Sequence, residues 1–318
     1  MKVLLTRRMP AVAAETLRAA GHEVHMIEQD DPPPREQVLA ALPGCAGVIT
    51  MLSDRVDTEF LEAAGGSLRV VANYAVGYDN IDLAACRARQ VRVTNTPGVL
   101  TEATADLTWA LILAAVRHVV LGDRLVRSGD WHGWAPMQLP GLELSGATLG
   151  IVGAGRIGSA VARRSRGFDM RVLYCHPRPR PELEDELGAR RVELDELLAA
   201  SDVVSLHVPM RPENRHLIDS RRLALMKPSA VLVNTARGPV VDEAALVTAL
   251  RQGRIAAAGL DVYEREPALT EGLAELDNVV LLPHLGSATH TTRSRMARMA
   301  ADNVAAVLAG SEPPNPVV

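Results

Sequence analysis

Short apolar runs separated by helical patterns recur along the chain, and that alternation predicts its architecture. Val3-Leu4-Leu5-Thr6 reads as a strand, Ala11 to Ala20 as a helix ended by Gly21, and Val24 to Ile27 as a second strand. The run Asp30-Asp31-Pro32-Pro33-Pro34 must be loop. Gly47 to Thr50, Arg69 to Asn73 and Arg92 to Thr94 complete a first series of short buried strands. Thr101 to Arg127 reads as one long apolar-rich helical stretch, stopped by Ser128-Gly129-Asp130, and Trp131 to Pro136 as an excursion without a clear period. A second series begins at Thr148. Its strands are expected at Thr148–Val152, Arg171–Cys175, Asp202–Leu206, Ala230–Asn234, Ala257–Leu260 and Val279–Leu282. Six strands so spaced, with helical patterns in most of the gaps, predict a doubly wound parallel sheet. Thr291 to Leu308 reads as a last helix, capped by Gly310 and stopped by Pro313-Pro314.

Composition narrows this picture. With 318 residues and 47% hydrophobic residues, the chain can build two cores, and 3% aromatics means that Ala, Val, Leu and Ile must fill them. A net charge of −4 with interspersed signs makes no nucleic-acid footprint. The basic charge is almost all arginine; Lys2 and Lys227 are the only lysines, which leaves few amines for Schiff-base chemistry. Cys45, Cys86 and Cys175 form no CxxC pair, which fits a reducing compartment. The apolar run before Arg7 and Arg8 is too short for a signal peptide or a membrane span, so a cytoplasmic protein is expected.

The sharpest local motif is Gly153-Ala154-Gly155-Arg156-Ile157-Gly158. It follows the strand Leu149-Gly150-Ile151-Val152 and opens a helix, the setting in which GxGxxG binds a dinucleotide. Gly153 permits the tight turn, Gly155 lets a pyrophosphate approach the backbone, and Gly158 permits close helix–strand packing; the helix N-terminus offers free N–H groups to the anion. NAD-specific folds carry an acid about 20 residues further on, for the ribose hydroxyls. Here the next strand ends Leu173-Tyr174-Cys175-His176, with no acid. Arg178 and Arg180 follow. They are either ordinary surface charges or partners for a 2′-phosphate, and the second reading predicts a preference for NADPH, with NADH possible.

Three further strand ends carry ionisable residues, at Thr235-Ala236-Arg237-Gly238, at Glu264-Arg265-Glu266-Pro267 and at Pro283-His284-Leu285-Gly286. Ligands of open α/β sheets sit beyond the carboxyl ends of strands. A planar guanidinium can bridge the carboxylate and ketone of a 2-oxo acid. Hydride arriving at C2 leaves negative charge on the ketone oxygen, so an acid must deliver a proton, and histidine suits that near neutral pH. A nearby carboxylate would orient the imidazole and favour its protonated form. No HExxH or similar spacing appears, so hydride transfer without a metal is expected.

These motifs, in this order, resemble the D-isomer-specific 2-hydroxyacid dehydrogenase family, with the nearest likeness to its glyoxylate/hydroxypyruvate reductase branch. The likeness spans essentially the whole chain. It includes Tyr74-Ala75-Val76-Gly77-Tyr78-Asp79-Asn80-Ile81-Asp82, Thr96-Pro97-Gly98-Val99-Leu100-Thr101-Glu102, Asn234-Thr235-Ala236-Arg237-Gly238 and Pro283-His284-Leu285-Gly286-Ser287-Ala288-Thr289. The resemblance implies two doubly wound lobes. A flavodoxin-like substrate-binding and catalytic lobe would take residues 1–97 and 287–318, and a Rossmann cofactor domain residues 98–286. It implies that Arg237 binds the substrate, that His284 is the general acid/base and that Glu266 supports it. Val76 and Gly77 would take the substrate carboxylate through backbone N–H groups, with Leu52 lining the pocket. Cofactor contacts are implied at the glycine motif, His176, Arg178, Thr235, Ala236, Arg237, His284 and Gly286. A homodimer built on the 101–127 stretch and the following arm is implied too, in which Trp134 would reach the partner's active site. Formate dehydrogenases of the family carry Gln at the position of Glu266, which argues against that activity. A phosphoglycerate dehydrogenase-type NAD enzyme and a dinucleotide-sensing corepressor remain the alternatives.

Overall fold

A computed structural model describes all residues from Met1 to Val318, and they form two compact units. The first comprises Met1–Leu100 and Ser287–Val318. Its strands are β1 (Lys2–Leu5), β2 (Glu23–Met26), β3 (Cys45–Thr50), β4 (Val70–Asn73) and β5 (Arg92–Thr94), and α1 (Val12–Ala19), α2 (Arg35–Ala41), α3 (Thr58–Ala64) and α4 (Leu83–Ala88) connect them. The sheet is wholly parallel in the order β2-β1-β3-β4-β5, the flavodoxin-like winding. All six residues of β3 and all four of β4 are buried, as parallel strands covered on both faces require.

The chain returns to this unit with a C-terminal helix, His290–Leu308, capped by the Thr289 hydroxyl on the Thr292 N–H. Met296, Ala297, Ala300, Ala301, Val304 and Leu308 line its buried face at helical spacing. Gly47 of β3 lets it lie close, because a Cβ there would stand 2.8 Å from Val304 Cγ1. After the helix the tail pairs with the free edge of β5, with Val93 N–H donating to Val318 O and Val317 N–H to Val93 O.

The second unit is Thr101–Gly286. Its seven parallel strands are β6 (Thr148–Val152), β7 (Arg171–Cys175), β8 (Arg190–Arg191), β9 (Val203–Leu206), β10 (Val231–Asn234), β11 (Ala257–Leu260) and β12 (Val279–Leu281). They lie in the order β12-β11-β10-β9-β6-β7-β8, the Rossmann winding with one extra strand. Helices α5 (Thr101–Val116), α6 (Val119–Ser128), α7 (Arg156–Arg164), α8 (Pro181–Leu187), α9 (Leu194–Ala200), α10 (Ser220–Leu223) and α11 (Glu243–Arg251) complete it. Trp109 of α5 stacks on Phe168 at 4.6 Å and donates its indole N–H to Val161 O on α7.

Two expectations are corrected. The apolar stretch 101–127 is not one helix. It breaks at Arg117–His118, where His118 takes φ +52°, and α5 and α6 meet at 60°. The Val116 carbonyl accepts the Leu142 N–H instead of continuing the ladder, and Gly141 lies so near that its Cβ would stand 2.2 Å from that oxygen. The strand β8 has no apolar pattern to announce it, being two exposed arginines at the sheet edge. No single helix is long and apolar enough to cross a membrane.

Candidate active site

The glycine loop follows β6. Gly153 adopts φ +96°, and a Cβ there would stand 2.7 Å from the His207 carbonyl carbon. Gly158, in the first turn of α7, has Gly153 O where a Cβ would come to 2.2 Å. These two glycines fold the loop onto the sheet. Gly155 differs: it is the N-cap of α7, and a Cβ on it would meet nothing within 4 Å. That open space lies at the helix end where Arg156, Ile157 and Gly158 supply the first-turn N–H groups, so a pyrophosphate fits the loop.

At the end of β7, His176 and the arginines beyond it close back over this loop. Arg180 Nε donates to Ala154 O at 2.7 Å, and its Nη2 lies 3.0 Å from His176 Nε2. A guanidinium only donates, so Nε2 accepts from Arg180, while Nδ1 faces the Arg178 backbone, 2.9 Å from its carbonyl oxygen and 3.1 Å from its N–H nitrogen. Arg191 fixes the turn from the far side through His176 O and Pro177 O. Arg180, rather than the exposed Arg178, is therefore the arginine bonded to the cradle.

The three ionisable strand ends converge at β10, β11 and β12. Asn234 shapes the first, accepting the Ala236 N–H at 3.0 Å and donating to Arg237 O at 2.9 Å. Thr235 holds its hydroxyl 2.9 Å from that of Thr108 on α5. The next residue after Arg237, Gly238, packs directly on the β11 loop: a Cβ there would stand 1.8 Å from the Tyr263 carbonyl carbon and 2.3 Å from Glu264 N. Contact this close brings the Arg237 turn alongside the loop that carries Glu266.

His284 faces Glu266 across this edge, its Nδ1 3.0 Å from Oε2. The other carboxylate oxygen, Oε1, accepts the Tyr263 N–H at 3.1 Å. Burial alone would raise the Glu266 carboxyl, but His284, the Tyr263 N–H and the charge of Arg237 together hold it below its ordinary value. The imidazole is 33% exposed, so it is reachable from solvent.

Asp261, 1% exposed at the end of β11, sets the His284 turn. Its carboxylate accepts Leu285 N–H at 2.6 Å and Gly286 N–H at 2.8 Å, and its carbonyl accepts the His284 N–H. With its backbone so held, His284 adopts φ +54°. Thr104 Oγ1 donates to Gly286 O at 2.9 Å and closes the turn. Burial pushes the Asp261 carboxyl up, against these donors and the nearby His284.

Leu52, Val76 and Gly77, which the resemblance implies bind the substrate, lie in the first unit, past carboxyl ends of its own strands. Leu52 sits in the turn after β3, where Asp54 accepts the Met51 N–H and the Thr6 hydroxyl. Val76 and Gly77 follow β4, and their carbonyls are held by the side chains of Asn95 and Asn73, both at 2.8 Å. Asp261 and the Asn234 and Asn73 amides were not singled out as site residues from the sequence. Asp261 carried a signal, an acid directly after the buried run Ala257–Leu260; the two amides are turn-shaping groups whose partners include backbone atoms.

Comparison with known proteins identifies the family. Residues 109–286 match the family model described as the NAD binding domain of D-isomer specific 2-hydroxyacid dehydrogenases. The chain belongs to the D-isomer specific 2-hydroxyacid dehydrogenases, and is an NAD(P)-dependent oxidoreductase. A glyoxylate reductase of Thermococcus litoralis is 48% identical over 99% of this chain and 96% of that protein. The crystal structure of a Thermus thermophilus protein superposes with a TM-score of 0.93 at 50% identity, covering 100% of both chains. An NADPH-dependent glyoxylate/hydroxypyruvate reductase of Sinorhizobium meliloti, solved with NADP and malonate, gives a TM-score of 0.86 at 35% identity, over 100% of this chain and 96% of that one.

Proposed function

We propose that the protein reduces a small 2-oxo acid of the glyoxylate or hydroxypyruvate type to the D-2-hydroxy acid, using NADPH in preference to NADH. The observation that carries this reading is the His284–Glu266 pair, 3.0 Å apart beside the Arg237 turn on the sheet that bears the glycine cradle. The bound nicotinamide supplies the hydride. His284 does the rest of the proton work: with Nδ1 bonded to Glu266, Nε2 gives its proton to the C2 oxygen as charge grows there. In the oxidative direction the same nitrogen takes the hydroxyl proton. Glu266, kept ionised, stabilises the imidazolium and fixes its orientation. Arg237 binds the carboxylate and carbonyl of the substrate and polarises the C=O bond. We assign the N–H groups of Val76 and Gly77 to the substrate carboxylate and Leu52 to the pocket wall.

The NADPH preference is supported by the missing acid after β7 and by Arg180, whose guanidinium is already bonded to Ala154 O. The relatives named as glyoxylate reductases and the NADP complex of the Sinorhizobium enzyme support the substrate and cofactor classes. A homodimer is supported by α6, which buries none of its residues, and by Trp134 and Met137, 82% and 80% exposed in the arm that follows. Steady-state rates for a panel of 2-oxo acids with each cofactor test the proposal. Glyoxylate and hydroxypyruvate with NADPH should give the highest kcat/KM; a strong preference for NADH, or turnover confined to bulky 2-oxo acids, contradicts it.

A further inference from the structure

Glu266 stands on an arch of backbone outside any helix or strand, running from Glu264 to Thr270, whose crown is closed by the Ala268 N–H on Arg265 O and whose two ends rely on other ties. What fixes that arch lies beneath it. Glu243, the first residue of α11, is 2% exposed although it is an acid at the start of a helix. Its neighbour Asp242 already caps the helix, accepting the Ala245 N–H. The Glu243 carboxylate instead reaches across to the arch and holds both ends: Oε1 accepts the Glu264 N–H and Oε2 the Thr270 hydroxyl, each at 2.6 Å. The outer side of the first end is tied separately, the Glu264 carboxylate accepting from His216 at 2.7 Å and Arg215 at 3.1 Å.

We infer that Glu243 is a positioning residue for the proton-transfer pair: it pins the Glu264–Thr270 arch so that Glu266 meets His284 Nδ1. This rests on the acid/base reading given above. A carboxylate is suited to the task because it is acceptor-only, and both ends of the arch present donors. A buried carboxylate with both oxygens engaged also resists displacement, since moving it would strand a charge away from water. The same tie keeps Glu264 N–H next to Gly238, so the arch and the Arg237 turn share one wall.

Four variants test it: Glu243→Ala, Glu243→Gln, Thr270→Val and Glu266→Gln. Two readouts serve, the alkaline limb of the kcat/KM profile for reduction and the downfield proton resonance of the His284–Glu266 hydrogen bond in the cofactor-free chain. Glu243→Ala should lower kcat by on the order of ten- to a hundredfold, through misplacement of Glu266. It should also move the alkaline limb down and broaden away the resonance. Thr270→Val should move both readouts the same way by less. In Glu243→Gln the amide oxygen accepts from Glu264 and the amide N–H donates to Thr270 Oγ1, so both should return close to wild type. A merely structural role would lower the melting point without moving the limb. If Glu243→Ala does not fold, Thr270→Val decides: an unmoved limb and an intact resonance overturn the inference. An unmoved limb in folded Glu243→Ala does so as well, provided Glu266→Gln moves it. If Glu266→Gln itself leaves the profile unchanged, the acid/base reading fails and takes this inference with it.

Discussion

At the scale of single residues, the partners of one imidazole define what it can do. His284 Nδ1 is committed to Glu266 and the His284 N–H to Asp261, which leaves Nε2 as the nitrogen proposed to serve the substrate. His284→Gln should therefore abolish most turnover, a loss of about a thousandfold or more, while cofactor affinity measured by titration calorimetry stays near wild type. Wild-type turnover in that variant would contradict the assignment. Arg237→Ala should instead weaken substrate binding and turnover together, seen as a higher KM with a lower kcat. Arg180 is the residue on which the proposed NADPH preference can be tested. Arg180→Ala should raise KM for NADPH about tenfold, the worth of a charge-assisted hydrogen bond, and leave KM for NADH nearly unchanged. Equal loss with both cofactors would show that Arg180 only braces the glycine loop through Ala154 O.

At the scale of elements, the parallel strands do the positioning and a few glycines set the clearances. Gly238→Ala must move Tyr263 or Glu264 backbone, since the added Cβ would stand 1.8 Å from it. A loss of about 3 kcal/mol in stability is expected, with the melting point as the measurement, and residual activity should fall further than stability. The strands were legible in the sequence because buried parallel strands are unbroken apolar runs, and the observed Thr148–Val152, Arg171–Cys175 and Ala257–Leu260 coincide with their apolar segments. The glycine loop was legible for the same reason, as it is punctuation between a strand and a helix. Two features were not. The α5–α6 break depends on residues 141 and 142 coming back against Val116, a contact distant in sequence. The clamp from Glu243 to Glu264 and Thr270 joins residues 21 and 27 positions apart, and in the sequence Glu243 looks like any first-turn helix acid.

At the scale of the whole molecule, buried titratable groups set how stability responds to acid. His207 follows β9, its Nε2 bonded to the Ser205 hydroxyl, and burial pushes it down to about 3 from an ordinary 6.5. Between those values the unfolded chain holds a proton that the folded chain refuses, so stability falls as pH drops from 6.5 toward 3. Glu266, held below its ordinary value, loses its contribution as pH falls through the carboxylate range, while Asp54 and Asp261, pushed up by burial, act in the opposite sense there. The melting point should thus decline between about pH 6.5 and about pH 5, where His207 acts together with His22, which burial also holds below its ordinary value, and His207→Gln should flatten part of that slope. A slope unchanged in the variant would locate the acid sensitivity elsewhere. The proposed dimer, built on the exposed face of α6 with Trp134 and Met137, predicts a solution mass of twice the 34.1 kDa chain by light scattering; a monomer at micromolar concentration would remove it. The central claim is hydride delivery to C2 of a 2-oxo acid with protonation from His284, and isotope transfer reads it directly. Hydroxypyruvate reduced with NADPH carrying deuterium at both hydrogens of the transferring nicotinamide carbon should yield D-glycerate with deuterium at C2. Product without the label, or L-glycerate, would contradict the account.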